Sequence, residues 1–279
     1  MKRKWFIVTT AACVLFGTSV MAFASNPIKL MINDTEHYTE VPPQIMNGRV
    51  MVPLSVISDV FGKETTYDKN SKNVNIKNIQ HVTIAESESG EMKVTADQGE
   101  NGIYEHLTLV TENFSRNLLG SYNVINPSYA PEILLADVNG DGKNEIVIIL
   151  TTGYGTGVYQ SEVRVLEGNT GHEIHTENAL SVFSKQFSEG NLTAKGIEFD
   201  LNKQHILIPD AEVSAVYKDG NQKIEVGSII SYKVENNTLK ATTAVPRLFS
   251  DYAGELQVQY VFKDNVLQGG TASFIPYED

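Results

Sequence analysis

Nine consecutive residues, Asp137-Val138-Asn139-Gly140-Asp141-Gly142-Lys143-Asn144-Glu145, carry the most specific chemistry in the sequence. Oxygen-bearing side chains stand at positions one, three, five and nine, and glycine stands at six. A hard divalent cation takes about six to eight oxygens, and alternate residues of a tight loop can aim theirs inward where glycine turns the chain. Asp137, Asn139 and Asp141 would supply side-chain oxygens, Lys143 its carbonyl, and Glu145 the closing carboxylate. Three carboxylates without a nitrogen or sulfur ligand favour Ca2+ over zinc or copper. The competing reading is an Asx-rich turn with no ion; the self-repulsion of so many acids in one loop weighs against it.

The first seven positions also fit an EF-hand or dockerin loop, but those need an acid at position twelve and a helix after it. Position twelve here is Ile148, inside Ile146-Val147-Ile148-Ile149-Leu150, which reads as a buried strand. The loop therefore resembles the strand-flanked calcium loops of FG-GAP/VCBS-type extracellular repeats, in which the ninth residue closes the site. That resemblance covers about fifteen residues and occurs once, so it implies a loop type and a structural cation.

Other candidate sites are weaker. Gly153-Tyr154-Gly155-Thr156-Gly157 could cradle a phosphate, but neither Gly-Lys-Ser/Thr nor a dinucleotide fingerprint accompanies it, and a glycine-permitted hairpin loop explains it better. Its place directly after the Ile146–Leu150 strand makes it the best candidate for a ligand-contacting edge. His172 and His175 could hold a transition metal from a helix, yet Gly168, Asn169 and Gly171 upstream argue for a turn and no third ligand is identifiable. No Gly-x-Ser-x-Gly elbow is present. Tyr154, Tyr159 and Tyr252 could stack on sugars, although strand tyrosines are more often ordinary packing.

The elements around these residues belong to an exported chain. Lys2, Arg3 and Lys4 precede an apolar stretch from Trp5 to Met21 and small residues at Ala22 and Ala24, the order of a secretory signal peptide cleaved after Ala24. The stretch is broken by Thr9, Thr10, Gly17, Thr18 and Ser19 and is too short for a lasting membrane span. Losing residues 1–24 removes three basic residues and no acid, leaving 19 Lys and Arg against 34 Asp and Glu, a formal charge of −15. Such a surface repels nucleic acid and makes divalent cations natural partners. Cys13, the only cysteine, leaves with the signal peptide, so the mature chain has neither disulfide nor thiol nucleophile and its stability must come from burial.

Residues 25–80 read as a small module. Ile28, Leu30 and Ile32 alternate as a half-buried strand, Asn47-Gly48 marks a hairpin, Pro53 suits a first helical position with Leu54, Ile57 and Phe61 on one face, and 65–67 with 74–76 form a second hairpin. The run Ile28 to Ile76, with Pro42-Pro43, Asn47-Gly48-Arg49, Val52-Pro53-Leu54, Phe61-Gly62 and Tyr67-Asp68, resembles the copper amine oxidase N-terminal domain-like family. The resemblance implies a stalk-like α+β module. The copper histidines and quinone of true amine oxidases belong to a separate large domain, so no catalytic residue is implied here.

Residues 81–101 are polar and acidic and read as a linker. Residues 102–279 then carry strand patterns at 106–111, 146–150, 163–166, 197–201, 206–208, 213–217, 228–234, 255–260 and 271–275, and one helix at 177–189 with Leu180, Phe183 and Phe187 on its face. The expected fold is α+β and β-rich: a stalk-like module followed by a larger, mainly antiparallel β domain with one or two helices. The expected function is a secreted or cell-wall-associated, non-catalytic binding or structural protein whose β domain is stabilised by calcium. Its partners would be calcium and a cell-wall polymer or another exported protein, without nucleic acid and without a membrane span after cleavage. The alternative is a secreted hydrolase with its site in residues 102–279.

Overall fold

A computed structural model describes residues 28–32, 35–37, 41–56, 63–78, 81–99, 101–248 and 251–277. The expected signal peptide and the expected helical positions Ile57 and Phe61 lie outside the described residues. Among the described residues no helix is long and apolar enough to cross a membrane. The chain divides into two compact units between Val56 and Ile57.

The first unit holds two hairpins, β1 (Leu30–Ile32) with β2 (Thr35–His37) and β3 (Gln44–Met46) with β4 (Arg49–Met51). Met46 pairs with Arg49, and the two turn residues take φ of 53° at Asn47 and 74° at Gly48. Positive φ at both centres is what a tight two-residue hairpin with native twist requires, and Asn-Gly is the dipeptide that tolerates it. Residues 54–56 are helical.

The second unit begins with a hairpin of β5 (Lys63–Asp68) and β6 (Asn73–Asn78). Five strands follow in one sheet: β7 (Val82–Glu86), β8 (Lys93–Gln98), β9 (Ile103–Val110), β10 (Ser115–Asn117) and β11 (Asn123–Val124). Residues 81–101 are therefore not a linker. Met92, Val94 and Ala96 alternate inward at 7%, 0% and 0% exposure among polar neighbours, and so few, small apolar groups gave the segment a disordered composition.

Next come β12 (Glu132–Ala136), β13 (Glu145–Gly155), β14 (Val158–Glu167) and β15 (Glu173–Thr176), then helix α1 (Ala179–Gln186). The helix is shorter than the expected 177–189. It buries Ala179, Val182 and Phe183, whereas Leu180 stays 43% exposed where it lies over Gly227, and Phe187 opens the next strand. A second sheet holds β16 (Phe187–Thr193), β17 (Gly196–Leu201), β18 (Gln204–Ile208) and β19 (Gln222–Lys223), with helix α2 (Ala211–Val216) between the last two. Residues 213–217 were expected as a strand. Asp210 decides otherwise: its carboxylate accepts the Val213 amide at 2.9 Å, capping a helix that buries only Val213.

The chain then returns to the β12–β15 sheet with β20 (Ile229–Glu235), β21 (Thr238–Pro246), β22 (Tyr252–Lys263), β23 (Val266–Gly269) and β24 (Ser273–Pro276). The hydrogen-bonded path runs β14-β15-β23-β22-β21-β20 and closes back on β14. Tyr159 and Glu167 both donate from the same edge of β14, being an even number of residues apart, to Ser228 and His172 respectively. One strand thus takes β20 at its start and β15 at its end, while β13 occupies its other edge. Among the described residues all strand pairings are antiparallel except β14 with β20 and β15 with β23.

Strand β13 joins two cores. Val147 and Ile149 face the barrel side with Phe183, Phe199, Leu239 and Leu256; Ile146, Ile148 and Leu150 face the β7–β11 sheet with Val94, Leu107 and Leu109. All five residues are at most 6% exposed, each contributing about 1.5–3 kcal/mol of burial. The protein is β-rich α+β, as its sequence pattern indicates.

Candidate functional site

The Asp137–Glu145 segment connects β12 to β13, so its ends are fixed by a ladder in which Ala136 pairs with Glu145. Within it, eight hydrogen bonds run from loop donors to loop side-chain oxygens. Asp137 Oδ1 accepts the amides of Gly140 (2.8 Å) and Asp141 (3.0 Å), and its Oδ2 accepts Gly142 N (3.0 Å). Asn139 Oδ1 accepts Asp141 N and Asp141 Oδ1 accepts Lys143 N, both at 2.8 Å. Gly140 and Gly142 hold φ of 78° and 85°, where a side chain is strained, which is the local reason the loop needs glycine at both places.

Glu145 behaves differently from the other acids. It is 2% exposed, and its Oε2 accepts the amides of Val138 (3.0 Å) and Asn139 (3.1 Å) while Oε1 accepts Asn139 Nδ2 (2.9 Å). Burial pushes its pKa up, against the lowering pull of those two amides and with help from Asp141 and Asp137. Both oxygens thus bond the base of the loop, Oε1 with one bond and acceptor capacity to spare, whereas Asp137 and Asp141 lie nearer the surface. Among the described residues no three His, Cys, Asp or Glu side chains converge on a position that would hold a metal. The hard-oxygen donors Asp137, Asn139 and Asp141 share one loop, and each still has acceptor capacity beyond the bonds it makes.

A residue outside the motif also shapes it. A Cβ built on Gly168, at the end of β14, would stand 2.4 Å from the Asn144 carbonyl oxygen, so the loop's exit is packed directly on a glycine backbone. Gly168 marks a turn in the sequence; nothing there ties it to residue 144.

The remaining candidates separate. Gly153–Gly157 forms the tip of the β13–β14 hairpin, with a register shift between Thr151 and Gly153 and φ of 70° at Gly157. His175 lies in β15 and His172 just before it, so three residues of extended chain send them to opposite faces; His172 instead stands 3.8 Å from Glu167.

Against known families, the copper amine oxidase N-terminal domain matches residues 17–76 and, in an overlapping span, 31–149. The second span extends past the β5–β6 hairpin through the Asp137–Glu145 loop into β13, leaving β14 onwards outside the match. No curated protein and no solved structure matches the chain.

Proposed function

We propose that this chain is an exported, non-catalytic binding or structural protein, secreted or held at the cell wall, whose β domain is stabilised by one calcium ion at the β12–β13 loop. The observation that carries it is the Asp137–Glu145 loop itself: hard oxygens at alternate positions, held by their own amides at the entry to the strand that joins both cores. Asp137, Asn139 and Asp141 would hold the ion by their side chains and Lys143 by its carbonyl. Glu145 would serve from the base, and all are ligands suited to a hard cation. The position between two strands supports an FG-GAP/VCBS-type loop over an EF-hand, which needs a helix where β13 stands. The calcium would supply charge neutralisation and nothing more.

The test is a thermal melt with calcium and with chelator, on wild type and Asp137→Ala. At calcium near 100 times its dissociation constant, binding adds about 2.7 kcal/mol to the wild type. A wild-type melting temperature indifferent to calcium overturns the reading.

A further inference from the structure

Two stretches that meet at the tip of the β13–β14 hairpin, residues 117–131 and 151–161, contain no Asp, Glu, Lys, Arg or His. In a chain that is 20% charged, so many residues would carry about five charges. What they carry instead is tyrosine. Tyr154 and Tyr159 are directly opposed across the hairpin, and the Tyr129 ring lies against both, with centroids 4.6 Å and 5.9 Å away. Tyr252 brings its hydroxyl to the same tip, 3.5 Å from where a Cβ on Gly157 would stand.

The cluster is built rather than incidental. Asn123, fully buried, donates Nδ2 to the Tyr129 carbonyl (2.8 Å) and accepts the Thr151 amide on Oδ1 (2.7 Å), strapping the Pro127–Tyr129 turn to β13. Asn126 caps that turn by accepting Ser128 N at 3.0 Å. The Tyr159 hydroxyl bonds Thr151 Oγ1 at 3.2 Å, and Gln160 anchors the hairpin to the carbonyls of Gly227 and Ser228. Tyr154 alone of the three is left 47% exposed, its ring supported from behind by Tyr129.

We propose that this tyrosine platform binds a neutral carbohydrate chain. A pyranose ring offers an apolar C–H face and a rim of hydroxyls, the complement of rigid tyrosine rings with hydroxyl edges. The rings and the stretches that carry them hold no charge of their own for an ionic polymer to pair with; Arg164, which donates to Leu119 and Ser121, is paired with Glu173, and Asp251 beside Tyr252 is paired with Arg247. The acidic remainder of the chain repels anionic polymers. The inference rests on the reading of the chain as a binding protein but not on its calcium.

Affinity electrophoresis tests it, with the purified chain run in native gels containing mixed-linked β-glucan, xylan or glycol chitin, and polygalacturonate as the anionic control. At least one neutral polysaccharide retards the wild type; Tyr154→Ala weakens this roughly tenfold and Tyr154→Phe keeps most of it. If Tyr154→Ala melts early, Tyr154→Leu carries the same comparison. No retardation by any neutral polysaccharide, retention only in polygalacturonate, or equal retention of the variants lacking the ring overturns the proposal. Running each gel with calcium and with chelator separates the two claims: retention that survives chelator leaves this site standing even if the melt shows no calcium effect.

Discussion

Glu145 grips Asn139 twice, through the Asn139 amide on Oε2 at 3.1 Å and the Asn139 Nδ2 on Oε1 at 2.9 Å. The first residue of β13 therefore reaches back over six positions to hold the third residue of the loop before it, and its buried carboxylate lies at the base of the loop, bonded to the amide of Val138, the loop residue that packs into the core.

That grip predicts the cost of Glu145→Gln. The new amide can accept the Val138 and Asn139 amides, but its Nε2 then meets Asn139 Nδ2 donor to donor. Asn139 cannot turn over without losing the Asp141 amide from its Oδ1. A buried donor without a partner costs about 1–3 kcal/mol, so the chelated protein should unfold at correspondingly lower denaturant, measured by chemical melts.

Gly168→Ala should destabilise by about 1–3 kcal/mol, because its Cβ would fall 2.4 Å from the Asn144 carbonyl and two backbones must part to admit it. Gly155→Ala, with open space around it, is the control expected to leave the melt within about 0.5 kcal/mol.

Val94→Asp distinguishes a strand from a linker at residues 81–101. In a linker the change is silent; in β8 it puts an unpaired carboxylate at a fully buried position against Leu107 and Leu109. A loss of at least about 3 kcal/mol, or failure to fold, is expected in thermal melts and expression yield.

Acid should weaken the α2 end of the molecule through Arg247, which bonds Asp210 and Asp251 at 2.6 Å each. Burial raises the Asp210 pKa, but the Arg247 and Val213 bonds outweigh it, and the Arg247 bond lowers that of Asp251. Both folded values thus lie below the ordinary 3.8, so the stability they lend is present above 3.8 and is lost as pH falls through the lowered values. Arg247→Met should lower stability at neutral pH and flatten its decline between about pH 4 and 2, read from melts across that range.

Short-range chemistry in the sequence specified most of the local elements. Asn47-Gly48 dictates its hairpin because few dipeptides accept two positive φ angles. Ile146–Leu150 declares a strand buried on both faces because every residue in it is aliphatic. Asp137 to Asp141 declares a turn full of oxygens because alternate Asx residues capture their own backbone amides. Where local and distant signals competed, the sequence misled. Residues 213–217 are rich in strand-forming types, Val213, Val216 and Tyr217, yet a helix capped by Asp210 takes Ala211 to Val216, and 85–101 has a linker's composition because its strand buries small groups.

The tertiary structure alone decided which remote residues meet. No spacing announces that Gly168 must be bare to admit Asn144, that Asn123 fastens Tyr129 to Thr151, or that β14 shares one edge between β20 and β15. Each depends on the path of the chain between segments, and that path is set by how the two cores close on the opposite faces of β13 rather than by any residue's own preference.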